Sequence, residues 1–187
     1  MLNRYVSDRW VHRELMTNYR TPAEVMELAA AVLATVDPTA RPPRSVRWSG
    51  HRPWARRVSG DDLPGALADV VRREARLVNP GSVAVIVPEH DPALAGLAAA
   101  SAGAGWGDGS GTGPPVTVLT PAAAKGLEFD AVIVVEPQRI LEADERGAAE
   151  LYVAFTRATQ RLGLIHTAPL PPIMTELLEP ETAAVPG

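Results

Sequence analysis

The sequence predicts an α/β fold built around a mainly parallel β-sheet. Three uncharged, β-branched runs, Val83–Val87, Val116–Leu119 and Val132–Val135, are typical of strands buried on both faces of such a sheet. Two segments with apolar residues at helical spacing, near residues 21–37 and over Pro64–Val78, precede these strands. Strands that are interleaved with amphipathic helices favour helices packed on the faces of the sheet.

Composition limits the class of protein. The chain has 187 residues, which is enough for one domain that buries roughly 70% of its unfolded surface. It has no cysteine, and its four histidines show no ligand spacing, so we expect neither disulfides nor a metal site. No signal peptide and no apolar run of membrane length is present, so we expect a cytoplasmic protein without a membrane partner.

Charge is distributed unevenly along the chain. The net charge of −4 argues against a general nucleic-acid binder. However, residues 1–57 hold ten arginines against five acids, while residues 58–187 hold eight basic groups against seventeen acids. The N-terminal part therefore presents either a basic face for phosphates or an acidic partner, or an ordinary solvated surface. Lys125 is the single lysine.

The first helix has a recognisable start. Thr21 is expected to cap it and Glu24 to complete a capping box, with Pro22 at the first helical position. The helix should end near Asp37-Pro38. Its buried face is expected to contain Val25, Leu28, Ala29, Val32 and Leu33.

Tyr19 and Arg20 come directly before this helix. Backbone N–H groups and the helix dipole favour anions at such a position, and an arginine adds a fork suited to phosphate oxygens. The alternatives are a half-buried aromatic ring for Tyr19 and a salt bridge for Arg20.

The segment 38–62 is rich in proline and arginine and contains Trp48 and Trp54. Interleaved arginine and tryptophan side chains can stack on single-stranded bases. The alternative is a surface loop pinned by its tryptophans, with a short strand at Ser45–Trp48.

The rest of the chain alternates helices, loops and strands. Asp91 is expected to cap a helix that runs to about Ala102, and residues 101–115 to form a flexible glycine-rich loop. That loop lacks Gly-Lys-Ser/Thr and precedes a strand, so it is not a phosphate loop. A helix over 148–160, a strand at Leu162–His166 and a proline-rich tail follow, with a short helix at Ile173–Leu178 and a loose end.

The stretch 116–135 places a polar turn between two apolar strands. Lys125, Gly126, Glu128 and Asp130 lie in that turn. Charged groups at the edge of a buried sheet are paired, exposed or functional, and loops at the carboxyl ends of parallel strands commonly bind ligands. The alternative is a polar turn with a helix-stopping glycine.

Three segments together resemble motifs IV, V and VI of the UvrD/Rep/PcrA-like superfamily 1 helicases. Their sequences are NYRTPAEVMELAAAVL, TPAAAKGLEFDAVIVVEP and LYVAFTRATQRL. These sequences most resemble the motifs of the HelD-like branch, whose members bind RNA polymerase. The resemblance is strong over 15–36 and 116–166. It implies a RecA-like three-layer αβα sandwich over residues 1–168, followed by a tail at 169–187.

The resemblance also implies roles for individual residues. Tyr19 would stack on adenine, while Arg20 and Arg157 would contact the γ-phosphate of ATP. The other matched positions are Gly126 and Glu128 near the nucleotide, and Thr120 and Lys125 near the boundary between nucleotide and DNA. A fixed guanidinium at Arg157 would neutralise charge on transferring phosphoryl oxygens, whereas the alternative is a cation that favours a helix C-terminus.

The implied function is the C-terminal half of an ATP-dependent DNA helicase or translocase. The chain has neither a Walker A lysine nor a Walker B Asp-Glu pair, so Mg-ATP would need an N-terminal RecA-like domain, and we expect no activity from this chain alone. DNA and RNA polymerase are the expected partners. Ala122 and Ala123 occupy a region where many family members have histidine, which leaves open a non-catalytic, HelD-like interaction module or a decayed fragment.

Overall fold

The computed structural model describes residues 17–104 and 115–181, which contain two parallel sheets. The small sheet pairs β1 with β2, and the large sheet has six strands in the order β5-β4-β6-β7-β3-β8, with every pairing parallel. The strands are β1 Thr17–Asn18, β2 Arg44–Ser45, β3 Trp54–Arg57, β4 Val83–Ile86, β5 Val116–Leu119, β6 Phe129–Val135, β7 Ala158–His166 and β8 Glu179–Pro180. The helices are α1 Ala23–Ala34, α2 Leu63–Leu77, α3 Pro92–Ala104, α4 Pro137–Leu141, α5 Gly147–Phe155 and α6 Pro172–Thr175.

The large sheet separates two hydrophobic cores. Side chains alternate between the faces of a strand, so Val132 and Val134 of β6 point into one core while Ile133 and Val135 point into the other. The first core is covered by α1, α4, α5 and α6, and the second by α2 and α3. The predicted α/β three-layer sandwich with a mainly parallel sheet is therefore confirmed.

The two helices of the second core follow the sequence pattern. Helix α2 buries Leu67, Val70 and Val71, as expected from their spacing, whereas Leu77, expected on or near the same face, is 54% exposed. The Asp91 carboxylate accepts the backbone N–H of Leu94 at 2.9 Å, which confirms the predicted cap of α3. Helix α3 continues to Ala104, so the prediction of a loop from residue 101 is wrong for 101–104, and 105–114 lie outside the described residues.

The capping box predicted for α1 is wrong. The Thr21 hydroxyl donates to the carbonyl of Thr156 at 3.2 Å, and Pro22 occupies the cap position without a side-chain hydrogen bond. The Glu24 carboxylate accepts the N–H groups of Ser49 and Gly50 instead of folding back onto its own helix. Both side chains therefore join α1 to other segments, and the helix ends at Ala34, earlier than expected.

The segment 38–62 is not only a surface loop, because it contains β3. The ring of Trp54 is 6% exposed and lies over Gly163 of β7, with which it is in register. By contrast Trp48 is 73% exposed, and the strand expected at Ser45–Trp48 is limited to the two residues of β2. A single tryptophan thus fixes this segment to the sheet.

Replacing Gly163 by alanine is expected to destabilise the fold by about 1–3 kcal/mol or more. The new Cβ would lie 2.0 Å from Cζ2 of Trp54, and the ring is held on its other side by the Arg73 guanidinium, 4.4 Å from the ring centroid. Urea unfolding followed by circular dichroism measures the loss. Gly96→Ala in α3 is the control, since its Cβ meets no atom within 4 Å; an equal loss in both variants would contradict the explanation.

The two strands of the central stretch differ in burial. Strand β6 lies inside the sheet and is buried on both faces, as predicted. Strand β5 is the edge of the sheet and is only partly buried, so that expectation is wrong for Val116–Leu119. An uncharged β-branched run is therefore compatible with an edge position as well as with a central one.

The C-terminal part of the described chain packs on the sheet. Helix α5 ends at Phe155 and β7 begins at Ala158, so the predicted helix to 160 is too long. The short helix predicted near residue 173 is α6, whose Met174 is fully buried, and β8 then pairs with β3. Among the described helices, none combines the length and apolar character needed to cross a membrane.

Candidate functional site

Two of the predicted site residues lie at the amino-terminal edge of the large sheet. The crossover 120–128 carries the chain from the carboxyl end of β5 to the amino end of β6, so Glu128 lies directly before β6. Arg157 lies directly before β7, and its carbonyl accepts the N–H of Phe129 at 3.0 Å. The expectation of a site at the carboxyl ends of the strands is therefore wrong for these two residues.

The Arg157 guanidinium is held by three acceptors. Its Nε donates to the carbonyl of Val153 at 3.1 Å, Nη1 to the carbonyl of Leu127 at 3.0 Å, and Nη2 to the Thr156 hydroxyl at 3.2 Å. A guanidinium has five N–H donors, so two have no acceptor among the residues that the structure describes. Within residues 17–104 and 115–181, no carboxylate lies within 4.0 Å of this side chain. Arg157 is thus an oriented, half-buried cation with unused donors.

The Arg20 side chain contacts Glu128, the residue that follows Leu127 on the crossover 120–128. Its Nη1 lies 2.5 Å from Oε1 of Glu128, one residue after the Leu127 carbonyl that Arg157 contacts. The two side chains of this pair are 76% and 40% exposed, and exposed pairs contribute only about 0–1 kcal/mol. The structure therefore brings Arg20, Glu128 and Arg157 together, and the ion pair is weak enough for an incoming anion to replace it.

The backbone before α1 does not offer the predicted anion site. The N–H groups of Arg20 and Thr21 both donate to Oδ1 of Asn18, at 2.8 and 3.2 Å. The N–H of Ala23, at the start of α1, donates to the carbonyl of Arg47 at 2.7 Å. These three donors are occupied, so an anion at this edge would not be bound by the backbone N–H groups of Arg20, Thr21 or Ala23.

Arg20, Glu128 and Arg157 form what we call the arginine cluster. Tyr19 and Gly126 lie within two residues of it in the sequence. Tyr19 is 73% exposed, so the alternative of a half-buried aromatic ring does not hold and its ring is available for stacking. Gly126 has φ of +81°, a backbone conformation that disfavours other residues, and no atom lies within 4 Å of the position of a Cβ. Leu127, which follows it, is 43% exposed. The edge therefore combines two arginines with an exposed aromatic ring.

Thr120 lies away from Arg20, Glu128 and Arg157. It follows the carboxyl end of β5, and its hydroxyl donates to Oε1 of Glu89 at 3.3 Å, at the opposite edge of the sheet from Arg157. Lys125 is exposed between the two edges. Burial, with the charge of Glu89 nearby, raises the pKa of Glu150 in the first turn of α5, and the Lys125 charge opposes that rise. The structure does not bring Thr120 to the arginine cluster.

Two hydrogen bonds that the sequence did not indicate support the cluster of Arg20, Glu128 and Arg157. The hydrogen bond from Thr21 to the Thr156 carbonyl ties the segment that carries Arg20 to the one that carries Arg157. Arg47 donates from Nη1 to the carbonyl of Arg20 at 3.1 Å. Both contacts join residues distant in sequence, and no local pattern indicates them.

Comparisons with known proteins relate part of the sequence, and the fold, to helicase C-terminal domains. Residues 115–165 match the family model of the UvrD-like helicase C-terminal domain, a range that includes Glu128 and Arg157 but not Arg20. The structure is similar to that of the C-terminal domain of a possible DNA helicase from Lactobacillus plantarum WCFS1, with a TM-score of 0.57, 20% identity, and coverage of 86% of this chain and 94% of that chain. No curated protein sequence matches the chain. The fold is thus similar to that of the C-terminal domain of a possible DNA helicase, and over residues 115–165 the sequence is similar to the UvrD-like helicase C-terminal domain.

Proposed function

We propose that this chain is the C-terminal RecA-like domain of a UvrD-like superfamily 1 DNA helicase or translocase. In this proposal it forms one wall of an ATP site, and an N-terminal RecA-like domain forms the other. The observation that carries the proposal is the Arg157 guanidinium, which three acceptors orient at the sheet edge while two of its donors have no acceptor within residues 17–104 and 115–181.

The arginines of this edge fit the triphosphate of ATP. Arg157 would donate its two remaining N–H groups to γ-phosphate oxygens, and its position needs no reorganisation because the protein already fixes it. Arg20 would exchange the exposed Glu128 carboxylate for a phosphate oxygen, a change that the weak ion pair permits. The exposed ring of Tyr19 would stack on the adenine.

The other half of the chemistry would come from the partner domain. The sequence has no Walker A lysine and no Walker B Asp-Glu pair, so binding of Mg²⁺ and of the β-phosphate is assigned to the N-terminal domain. The role of this chain is to position two cations, and ATP bound between the domains would draw them together. Gly126 keeps the loop open beside the cluster, since no side chain lies there.

One observation favours a second function. Ala122 and Ala123 are exposed on the crossover, in a region where many helicases of this type carry histidine, so these two positions offer DNA no polar side chain. A non-catalytic, HelD-like module that binds RNA polymerase would have this property. The arginine cluster favours the first function, because an interaction module does not need an oriented cation with unused donors.

ATP turnover separates the two functions. We expect none from this chain alone, and measurable turnover when it is mixed with the N-terminal RecA-like domain of a similar helicase, with a further increase on adding single-stranded DNA. Release of phosphate is the readout, and each protein by itself is the control. A folded chain that gives no turnover in any mixture, but binds RNA polymerase in a pull-down, would favour the second function.

A further inference from the structure

Thr156 contacts both of the segments that carry the arginines of the cluster. Its hydroxyl accepts Nη2 of Arg157 at 3.2 Å, and its carbonyl accepts the hydroxyl of Thr21, which directly follows Arg20, at 3.2 Å. Thr156 is 8% exposed and Thr21 3%, and a hydrogen bond in such surroundings is stronger than one in water. One buried residue therefore links the two cations that the proposed function places on ATP.

Of the three acceptors that hold the Arg157 guanidinium, the Thr156 hydroxyl is the one that depends on the type of side chain. The other two are the backbone carbonyls of Val153 and Leu127, which other residues at these positions would also provide. Each acceptor binds a different nitrogen, so among the described residues the hydroxyl alone holds Nη2. Nη2 has two N–H groups, and the direction of the second one therefore depends on the residue at position 156.

The same hydroxyl is oriented as an acceptor. It has a single hydrogen, which it donates to the last turn of α5, where the carbonyls of Tyr152 and Val153 lie at 2.8 and 3.1 Å from its oxygen. The oxygen is thereby left to accept Nη2 of Arg157. The backbone of Arg157 is also fixed, because its N–H donates to the carbonyl of Ala154 at 3.3 Å and its carbonyl accepts the N–H of Phe129 at 3.0 Å. The position of the guanidinium thus depends on the side-chain torsions alone.

We propose that Thr156 is a positioning residue that sets the direction of the Arg157 guanidinium. Thr156 would not touch the nucleotide, but would keep Nη2 from turning away while Arg157 acts on the γ-phosphate. A misplacement of about 1 Å in a catalytic group can lower a rate about 10²-fold, so a weakly held guanidinium would lose much of its effect. This role rests on the proposed function for the part that Arg157 plays in turnover, but not for the contact that holds the guanidinium.

Thr156→Val removes the hydroxyl and keeps a branched side chain of similar size. Both carbonyls of the last turn keep a donor, because the carbonyl of Tyr152 still accepts the N–H of residue 156 at 3.1 Å and that of Val153 still accepts Nε of Arg157 at 3.1 Å. In the mixture with an N-terminal RecA-like domain, we expect kcat for ATP to fall about tenfold or more and KM to change less than about threefold. Thr156→Ser restores the hydroxyl and is expected to keep kcat within about threefold of the wild type.

The motion of the guanidinium is measured on the complete chain by itself, without nucleotide or a partner domain. NMR of ¹⁵N-labelled arginine side chains gives the rate of rotation about the Nε–Cζ bond, and the Arg157 signal is identified by its absence from Arg157→Lys. We expect Thr156→Val to raise the rate about tenfold, as the loss of one hydrogen bond to a charged group implies. Thr156→Ser is expected to rotate as slowly as the wild type.

Thr35→Val is the matched control. Thr35 follows α1 as Thr156 follows α5, and its hydroxyl donates to the carbonyl of Val32 at 2.7 Å, but no arginine of the described residues donates to it. We expect the wild-type rotation rate and kcat from this variant.

Three results would overturn the proposal. The first is an unchanged rotation rate in Thr156→Val, and the second is an equal effect of Thr35→Val or Thr156→Ser. The third is a kcat of Thr156→Val within about threefold of the wild type while Arg157→Ala keeps its large loss, which would leave the proposed function intact. If the mixture shows no turnover at all, the proposed function fails and the rotation rates alone test the positioning role.

Discussion

Arg157→Ala is expected to lower ATP turnover by about 10³–10⁵-fold in the mixture with an N-terminal RecA-like domain. The guanidinium that would neutralise charge on the transferring phosphoryl group is lost, and no other described cation of this edge has the same fixed orientation. Steady-state phosphate release gives the rate. The effect should fall mainly on kcat, because the interaction strengthens as charge develops in the transition state.

Two further variants test whether a loss of ATP turnover comes from the missing guanidinium or from a loss of fold. Arg157→Lys keeps the charge, but a lysine cannot contact all three acceptors from the same position, so we expect only partial rescue. Arg139→Ala removes an exposed arginine that pairs with Asp91 at 2.7 Å on the opposite edge of the sheet, and we expect near wild-type turnover. If Arg157→Ala keeps turnover within tenfold of the wild type, the proposed role is wrong. Thermal unfolding of each variant shows whether a loss of rate reflects a loss of fold.

Glu74→Ala is expected to destabilise the fold by about 3–5 kcal/mol, which is typical when one partner of a buried ion pair is removed. The Glu74 carboxylate is 1% exposed and accepts Nε of Arg161 at 2.6 Å and Nη2 of Arg73 at 2.8 Å. Arg73 also pairs with Glu181, so it keeps a partner. Arg161, on β7 beneath α2, would be left with its charge 17% exposed and without a carboxylate among the described residues. Urea unfolding followed by circular dichroism measures the change.

The control variants test whether charge is the cause. Glu145→Ala removes an exposed glutamate and is expected to change the free energy of unfolding by less than about 0.5 kcal/mol. The double variant Glu74→Leu/Arg161→Met replaces the pair by apolar groups and should be closer to the wild type than Glu74→Ala, because no buried charge is left alone. A loss of under 1 kcal/mol in Glu74→Ala would show that water reaches this network.

Elements with strong local patterns could be predicted. Helix α2 and strands β4 and β6 follow periodicity and β-branched composition, since their burial on one or both faces requires those residues. Strand β3 could not be predicted, because Trp-Ala-Arg-Arg has no apolar alternation. Its place in the sheet depends on pairing with β7 and on the space that Gly163 leaves for the Trp54 ring.

Local sequence patterns also gave wrong predictions where a side chain contacts a residue that is far away in the sequence. Thr21 and Glu24 have the spacing of a capping box, but their hydrogen bonds go to Thr156 and to the segment 49–50. Trp48 and Trp54 look equivalent in the sequence, yet one is exposed and the other buried. In each case the deciding contact joins residues far apart in the chain, and no local rule includes it.

The sequence by itself determined the α/β architecture, the alternating strands and helices, and the identity of Arg20, Glu128 and Arg157 as candidate site residues. The resemblance already implied that these three residues converge on one edge of the sheet, and the tertiary structure alone decided that it is the amino-terminal edge and that Thr120 lies at the other one. The physical reason is the crossover 120–128, which carries the chain across one face of the sheet between β5 and β6. Residues close in sequence are thereby placed at opposite edges, while Arg20 and Arg157, far apart in sequence, contact adjacent residues of one loop.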